Sequence, residues 1–294
     1  MHSIIAKSLL SSQNGMNIYR GCTHGCIYCD ARSTCYWQES NQHFFEDIEV
    51  KINAPELLEK ALKNKRKKCM IGTGSMSDPY LHFEKDLKLT RKCIELIDNY
   101  GFGLAIQTKS DLILRDLDLL KSINKKAKCV VQITLTTFDD KLCKIVEPNV
   151  CVTSRRIEIL NILMNEGIPT VVWLTPFLPF INGTFENASL LLKSCMEANV
   201  KGIILFGAGL TLRDGDRQYF YKQLDKNFPG LKQKYIQTFH NNYELPCPDS
   251  KKIIENTRKL CIENRILLDG EVFNYMRDFP TEKENNLSFQ PELF

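Results

Sequence analysis

The sequence contains no apolar stretch near the roughly 18 residues that a membrane-spanning helix needs. No secretory leader is expected either, since MHSIIAKSLL at the N-terminus reads as too short and too weakly apolar for one. Neither sign of charge dominates: Lys and Arg number 39 against 35 Asp and Glu, a net charge of +4. Such mild basicity is compatible with nucleic acid but does not single it out. No repeat is visible beyond an alternation of strand and helix, and 43% apolar residues exclude a disordered chain. The expectation is a soluble, cytoplasmic, globular chain whose 294 residues form one or two domains.

Cysteine is what the chain has in excess, with twelve. Cys69, Cys93, Cys129, Cys195 and Cys261 sit singly in apolar runs, where reduced thiols act as small hydrophobes rather than a disulfide framework. The string GCTHGCIYCDAR is different. It places Cys22, Cys26 and Cys29 within eight residues, with Gly21 and Gly25 to let the loop fold tightly. Thiolates bind soft metals and iron–sulfur clusters. Three thiolates hold three corners of a cubane and leave one iron open, which suits catalysis better than electron relay, as an open zinc position does. The alternative is a structural zinc site made by Cys22, Cys26, Cys29 and Cys35, since zinc tolerates varied spacing.

Periodicity gives strands at about 15–19, 69–74, 103–108, 129–137, 169–175 and 202–207. Helices are expected at about 54–66, 86–100, after a Ser110 cap, after Thr153 or Ser154, and at about 186–199 and 216–227. Residues 249–277 read as helical and positioned to close a barrel mouth, and the stretch from about Pro280 reads as a polar tail. The strands are continuous apolar runs, as in parallel sheets covered on both faces. A doubly wound open sheet and a partial (β/α) barrel both fit, and either puts ligands at the C-terminal ends of the strands.

The spacing C-x3-C-x2-C after a first strand resembles the radical S-adenosylmethionine (SAM) superfamily. The wider strings NIYRGCTHGCIYCDARS and GTGSMSDPY resemble its branch containing spore photoproduct lyase, and together the likeness covers most of residues 15–210. The resemblance implies an α/β fold, a partial (β/α)6 TIM-type barrel over residues 1–214, followed by a helical C-terminal extension at 215–279 and a flexible tail at 280–294. It implies a [4Fe–4S] cluster on Cys22, Cys26 and Cys29, with SAM on the open iron. Reductive cleavage of SAM would give a 5′-deoxyadenosyl radical, with electrons from a donor such as flavodoxin or ferredoxin. Tyr28 resembles the residue lying along the adenine, while Ser77, Lys109 and, in the fourth strand, Thr134 resemble polar contacts to the methionyl end. Asp78 is a further candidate for the ammonium group, although S-D-P in isolation builds a turn. Gly207-Ala208-Gly209 would let SAM approach the backbone or form a tight turn.

Two positions depart from the lyase. Asp30 follows the third cluster cysteine, and Ser75 stands where the lyase has a cysteine hydrogen donor. A hydroxyl is a much poorer hydrogen-atom donor than a thiol, so reversal of thymine dimers by that relay is not expected; Asp30, Cys35 and Trp37 would serve another substrate.

The leading expectation is lesion repair or base modification on DNA or RNA. It rests on the branch, on Arg and Lys near KNKRKK (63–68), Ser154-Arg155-Arg156 and RDGDR (213–217), and on the terminal QPELF. Gln290, Leu293 and Phe294 match the peptide with which bacterial DNA enzymes dock on the sliding clamp. The alternatives are radical chemistry on a peptide or small molecule, and a non-catalytic zinc or iron–sulfur binding protein.

Overall fold

The computed structural model describes residues 1–36, 45 and 47–280. The chain begins with β1 (His2–Ile4), β2 (Gly15–Met16), β3 (Tyr19–Arg20) and β4 (Glu49–Lys51). There follow α1 (Ala54–Asn64), β5 (Met70–Thr73), α2 (Glu84–Leu87), α3 (Leu89–Asn99), β6 (Gly103–Thr108), α4 (Leu117–Lys126) and β7 (Cys129–Thr134). Then come α5 (Asp140–Val146), α6 (Thr153–Asn165), β8 (Thr170–Trp173), α7 (Phe185–Glu197), β9 (Gly202–Ile204) and β10 (Gly209–Thr211). The chain continues through α8 (Asp216–Asn227), α9 (Leu231–Phe239), β11 (Glu244–Pro246), α10 (Ser250–Glu263), β12 (Leu267–Leu268) and α11 (Gly270–Arg277).

The main sheet has seven strands in the order β12-β9-β8-β7-β6-β5-β2, every neighbouring pair parallel. This is the expected α/β half-barrel. Alternate residues of each strand face opposite layers. Ile71, Leu104, Val131, Val172 and Ile203 pack outward against Leu58, Ile94, Leu120, Leu160 and Leu191 of the crossover helices. Their neighbours Met70, Ala105, Val130, Val171 and Ile204 face the concave side. Both faces are therefore covered, which is why the strand sequences show no polar alternation.

The expected first strand, 15–19, splits. β2 joins the main sheet beside β5, whereas β3 pairs with β4 in a small second sheet with β1. The expected helix over 249–277 is also broken. β12 adds a seventh parallel strand beside β9, and α11 lies along the concave face rather than across the mouth. Val272 and Met276 of α11 pack on Met70, Val130, Val171 and Ile204. Burying such side chains stabilises by about 1.5–3 kcal/mol each. At one end of α11, Asp269 holds the turn after β9; at the other, Lys128 before β7 bonds the carbonyls of Tyr275 and Asp278. The helix thus runs along the concave face from the end of β9 to the start of β7.

Candidate active site

The cysteine loop leaves β3 and is strapped to the segment after α5. Ile27 N donates to Val146 O (3.0 Å), Asn149 N to His24 O (3.2 Å), and Asn149 Nδ2 to Thr23 O (2.9 Å). Gly25 adopts φ +70°, and a Cβ there would press within 3.2 Å of Asn149, so glycine is required at this point.

All three loop thiols are raised above their ordinary pKa. Burial is the main cause, and it pushes the Cys22 thiol up to about 12. Cys26 is raised by burial as well, with Glu147, Cys29 and Cys22 adding and Lys109 opposing. Cys29 follows the same direction, burial raising it and Lys109 lowering it. Among the described residues, no three Cys, His, Asp or Glu side chains come together tightly enough for a single metal ion. Cys35 is set apart: it is exposed, and its sulfur accepts from Arg213 Nη1 at 3.6 Å.

The ends of β5, β6 and β7 converge on this loop. Gly74 (φ +100°) lets β5 end against β6, where a Cβ would lie 2.1 Å from Gln107 O. Beyond it, Ser77 Oγ donates to Gly21 O, tying the β5 loop to the first glycine of the cysteine loop. Asp78 is a brace. Its Oδ1 accepts from Tyr80 N (2.8 Å) and Thr108 Oγ1 (2.7 Å), and its Oδ2 accepts from Lys109 N (2.8 Å). Oδ2 also lies 3.5 Å from Nδ1 of buried His24. Burial holds that imidazole below its ordinary range although Asp78 pulls the other way. The turn reading of S-D-P is thus realised, and the carboxylate additionally links three elements.

Lys109 directs its ammonium toward the Tyr28 ring, 5.8 Å from the centroid. Burial works against its charge, but Cys26 and Glu147 more than restore it and its pKa rises. Thr134, at the end of β7, has a buried hydroxyl with no hydrogen-bond partner. Cys22, Cys26, Cys29, Tyr28, Ser77, Asp78, Lys109 and Thr134 therefore all belong to one neighbourhood at the strand ends.

Several residues here have no signal in the sequence. Glu147 is fully buried, accepts from the Tyr28 hydroxyl, and pairs with Arg156 Nη1 at 2.6 Å. Arg156 also bonds Cys151 O and Thr134 O. Arg156 was an expected phosphate contact; wholly buried in this pair, it cannot meet a phosphate. The KNKRKK run precedes β5, so it lies at the opposite end of the strands from the thiols. Arg213 faces Asp30 (3.5 Å) and Tyr243, and Arg217 bonds Leu212 O and Asn242 O, so the RDGDR side chains brace the loop rather than only one another. Trp37, Gln290, Leu293 and Phe294 lie outside the described residues.

Below the site, the SDPY segment runs into a second charge network. Glu84 accepts from Tyr19 OH, Thr90 N (3.1 Å) and Arg115 Nη2 (3.0 Å). Asp116 accepts from Tyr80 OH (3.1 Å), Arg91 Nη1 (3.0 Å) and Arg115 Nε (2.8 Å).

Residues 16–188 match the family model of the radical SAM superfamily, and the chain belongs to that superfamily. It is a radical SAM enzyme, and membership implies use of a [4Fe–4S] cluster and SAM. An uncharacterised protein of Methanocaldococcus jannaschii is 38% identical over 164 residues, 56% of this chain and 60% of that one. The match thus spans less than two thirds of that relative. An uncharacterised Mycobacterium tuberculosis protein is 26% identical over 280 residues, covering 91% of this chain and 82% of its own length. A structure of spore photoproduct lyase superposes with a TM-score of 0.63 at 13% identity, covering 91% of this chain and 80% of the lyase; the two share the fold. No described helix is long and apolar enough to cross a membrane.

Proposed function

We propose that Cys22, Cys26 and Cys29 hold three irons of the [4Fe–4S] cluster, and that the enzyme uses SAM to modify or repair a base in nucleic acid. The observation that carries the first part is the group of three thiols on one loop at the strand ends, Cys26 buried and Cys22 and Cys29 half-buried, beside a lysine whose ammonium has no hydrogen-bond partner among the described residues. The donor set fits the group: sulfur ligands for iron, one cation for a carboxylate, and an unpartnered hydroxyl at Thr134. When bound, the reduced cluster supplies the electron that splits SAM into methionine and a 5′-deoxyadenosyl radical.

The chain's own residues do the rest. Lys109 pairs with the methionyl carboxylate, its charge held by Cys26 and Glu147. Tyr28 offers its ring to the adenine, and the bond from its hydroxyl to Glu147 fixes the ring's orientation. Ser77 and Asp78 act mainly by holding the loops that meet there, Ser77 through Gly21 O and Asp78 through three donors. Thr134 supplies a donor or acceptor to the bound molecule. The α11 plug keeps the concave floor dry beneath the reacting atoms.

The nucleic-acid part is supported by the shared fold. Structures of the lyase are described as holding AdoMet and a dinucleoside spore photoproduct. Ser75 in place of a thiol argues for a different reaction on such a substrate. The electron donor is a flavodoxin or ferredoxin, and the QPELF peptide is the proposed clamp contact. The test uses anaerobically reconstituted protein, dithionite and SAM, with 5′-deoxyadenosine quantified. Wild type should produce it, while Cys29→Ala should stay folded, lose bound iron and sulfide, and make none. Production that survives in Cys29→Ala would refute the ligand assignment. One tight zinc in place of iron and sulfide would move the site to the structural-metal reading.

A further inference from the structure

The turn after β9 holds a residue in an unfavourable state on two counts. Phe206 has φ +55°, the left-handed region that a bulky side chain rarely enters, and 65% of it is exposed. The conformation is enforced from outside the turn. Asp269, itself at φ +46°, accepts from Leu205 N (2.8 Å) and Phe206 N (3.0 Å) through Oδ1. One face of the Phe206 ring is stacked on Phe273, with centroids 5.6 Å apart and planes 11° from parallel. Trp173 meets both rings edge-on, at 6.1 and 5.9 Å. Trp173 is fixed in turn by its Nε1–H donating to Gln132 Oε1 (2.9 Å). Phe206 also borders a cavity of about 380 Å³, with Thr175, Gly207, Thr211 and Ser250 among its walls.

Folding alone gives no reason to hold an aromatic ring strained and bare. A ring backed on one face, held in place by a carboxylate from the following strand–helix turn, and open on the other face has the form of a stacking platform. It stands at the C-terminal end of a barrel strand, where substrate must enter.

We propose that Phe206 is a substrate-binding residue that stacks on a planar heteroaromatic ring, a nucleobase of the nucleic acid acted upon, with Asp269 and Phe273 as its positioning residues. The inference rests on the nucleic-acid reading above and deepens it. Stacking is tolerant of base identity because every base has a π-face. Selection among bases then falls to polar groups nearby, of which the Gln132 amide, with Nε2 left over from its bond to Trp173, is one.

The test compares binding of a short labelled single-stranded DNA with an abasic strand of the same length. Fluorescence anisotropy is read on reconstituted wild type and on Phe206→Leu and Phe206→Trp. Leucine keeps apolar bulk and removes the π-face, so Phe206→Leu should bind the base-bearing strand about tenfold more weakly. The abasic strand should be unaffected, and Phe206→Trp should restore binding. Phe206→Gly, which relieves the left-handed strain, should lose the same binding without a fall in Tm, whereas a ring needed only for packing would lower Tm when removed. Equal affinity of Phe206→Leu and wild type for the base-bearing strand overturns the platform and leaves the nucleic-acid reading standing. Wild type that binds neither strand overturns both. Weakened SAM binding in Phe206→Leu with unchanged DNA binding would assign the ring to the cofactor and also overturn the proposal.

Discussion

Two buried charge networks lie side by side in this molecule, and they are built differently. In the one around Glu84 and Asp116, every carboxylate oxygen accepts from at least two donors, supplied by Tyr19, Tyr80, Thr90, Arg91 and Arg115. In the one around Glu147, the acid is satisfied by Tyr28 and Arg156, but Lys109 Nζ makes no hydrogen bond among the described residues and the Thr134 hydroxyl is orphaned. Both occupy the space between strand ends and crossover helices. A saturated network can only hold the fold, whereas an unsaturated one retains binding capacity. The comparison separates scaffold from site without reference to any ligand.

The largest effect should come from the saturated side. Glu84→Ala strips the buried Tyr19 hydroxyl and Thr90 N of their acceptor and Arg115 of one of its two carboxylates, and should cost about 3–5 kcal/mol in urea unfolding. A Glu84→Ala protein of unchanged stability that fails only in SAM cleavage would break the comparison. Lys109→Met should do the reverse. It removes an ammonium that makes no hydrogen bond among the described residues, so stability should fall by less than in Glu84→Ala, while the Kd for SAM rises about 10- to 100-fold, the worth of a charged hydrogen bond. A loss of stability comparable with that of Glu84→Ala would instead make Lys109 part of the scaffold.

Thr134→Val sharpens the contrast on a smaller scale. It replaces an orphaned hydroxyl by a methyl of like shape, and should stabilise the cofactor-free protein by about 1 kcal/mol while weakening SAM binding severalfold. The smallest effect concerns Asp216, at the start of α8. Burial, with Asp30 adding, pushes its carboxyl up to about 6. The folded chain therefore holds this proton more tightly than the unfolded chain. Stability from this group falls as pH rises from about 4 to about 6, the interval between the unfolded and folded pKa values. Tm measured across that window should decline more steeply in wild type than in Asp216→Asn.

The sheet was legible in the sequence because its strands carry an uninterrupted apolar signal; β6 was located at 103–108 to the residue. Elements that depend on tertiary pairing were not legible. β12 is Leu267–Leu268, two residues inside an otherwise helical pattern, and becomes a strand only because β9 lies beside it. β10 and β11 are three residues each and pair across 32 intervening residues, so no local period marks them. The site divides in the same way. The cysteines are marked by spacing, and Tyr28, Ser77, Lys109 and Thr134 are candidates through the resemblance of their strings to the radical SAM superfamily, with Asp78 added for its charge. Glu147 is not marked: in KIVEPN it reads as an ordinary surface acid, and its burial follows from Arg156, nine positions on, being folded against it. Likewise Asp78 looked like a ligand contact or a turn former, and its threefold bracing needed the β6 end to be brought alongside.

The α11 plug has a consequence for how the chain is made. The concave face it covers is built from residues between Met70 and Ile204, and α11 ends at Arg277. Roughly 70 residues must leave the ribosome after that face is complete, which at about 5–20 residues per second takes some 4 to 14 seconds. During that interval Val130, Val171 and Ile204 of the nascent chain have no cover of their own, and a chaperone that shields apolar surface has its natural place there.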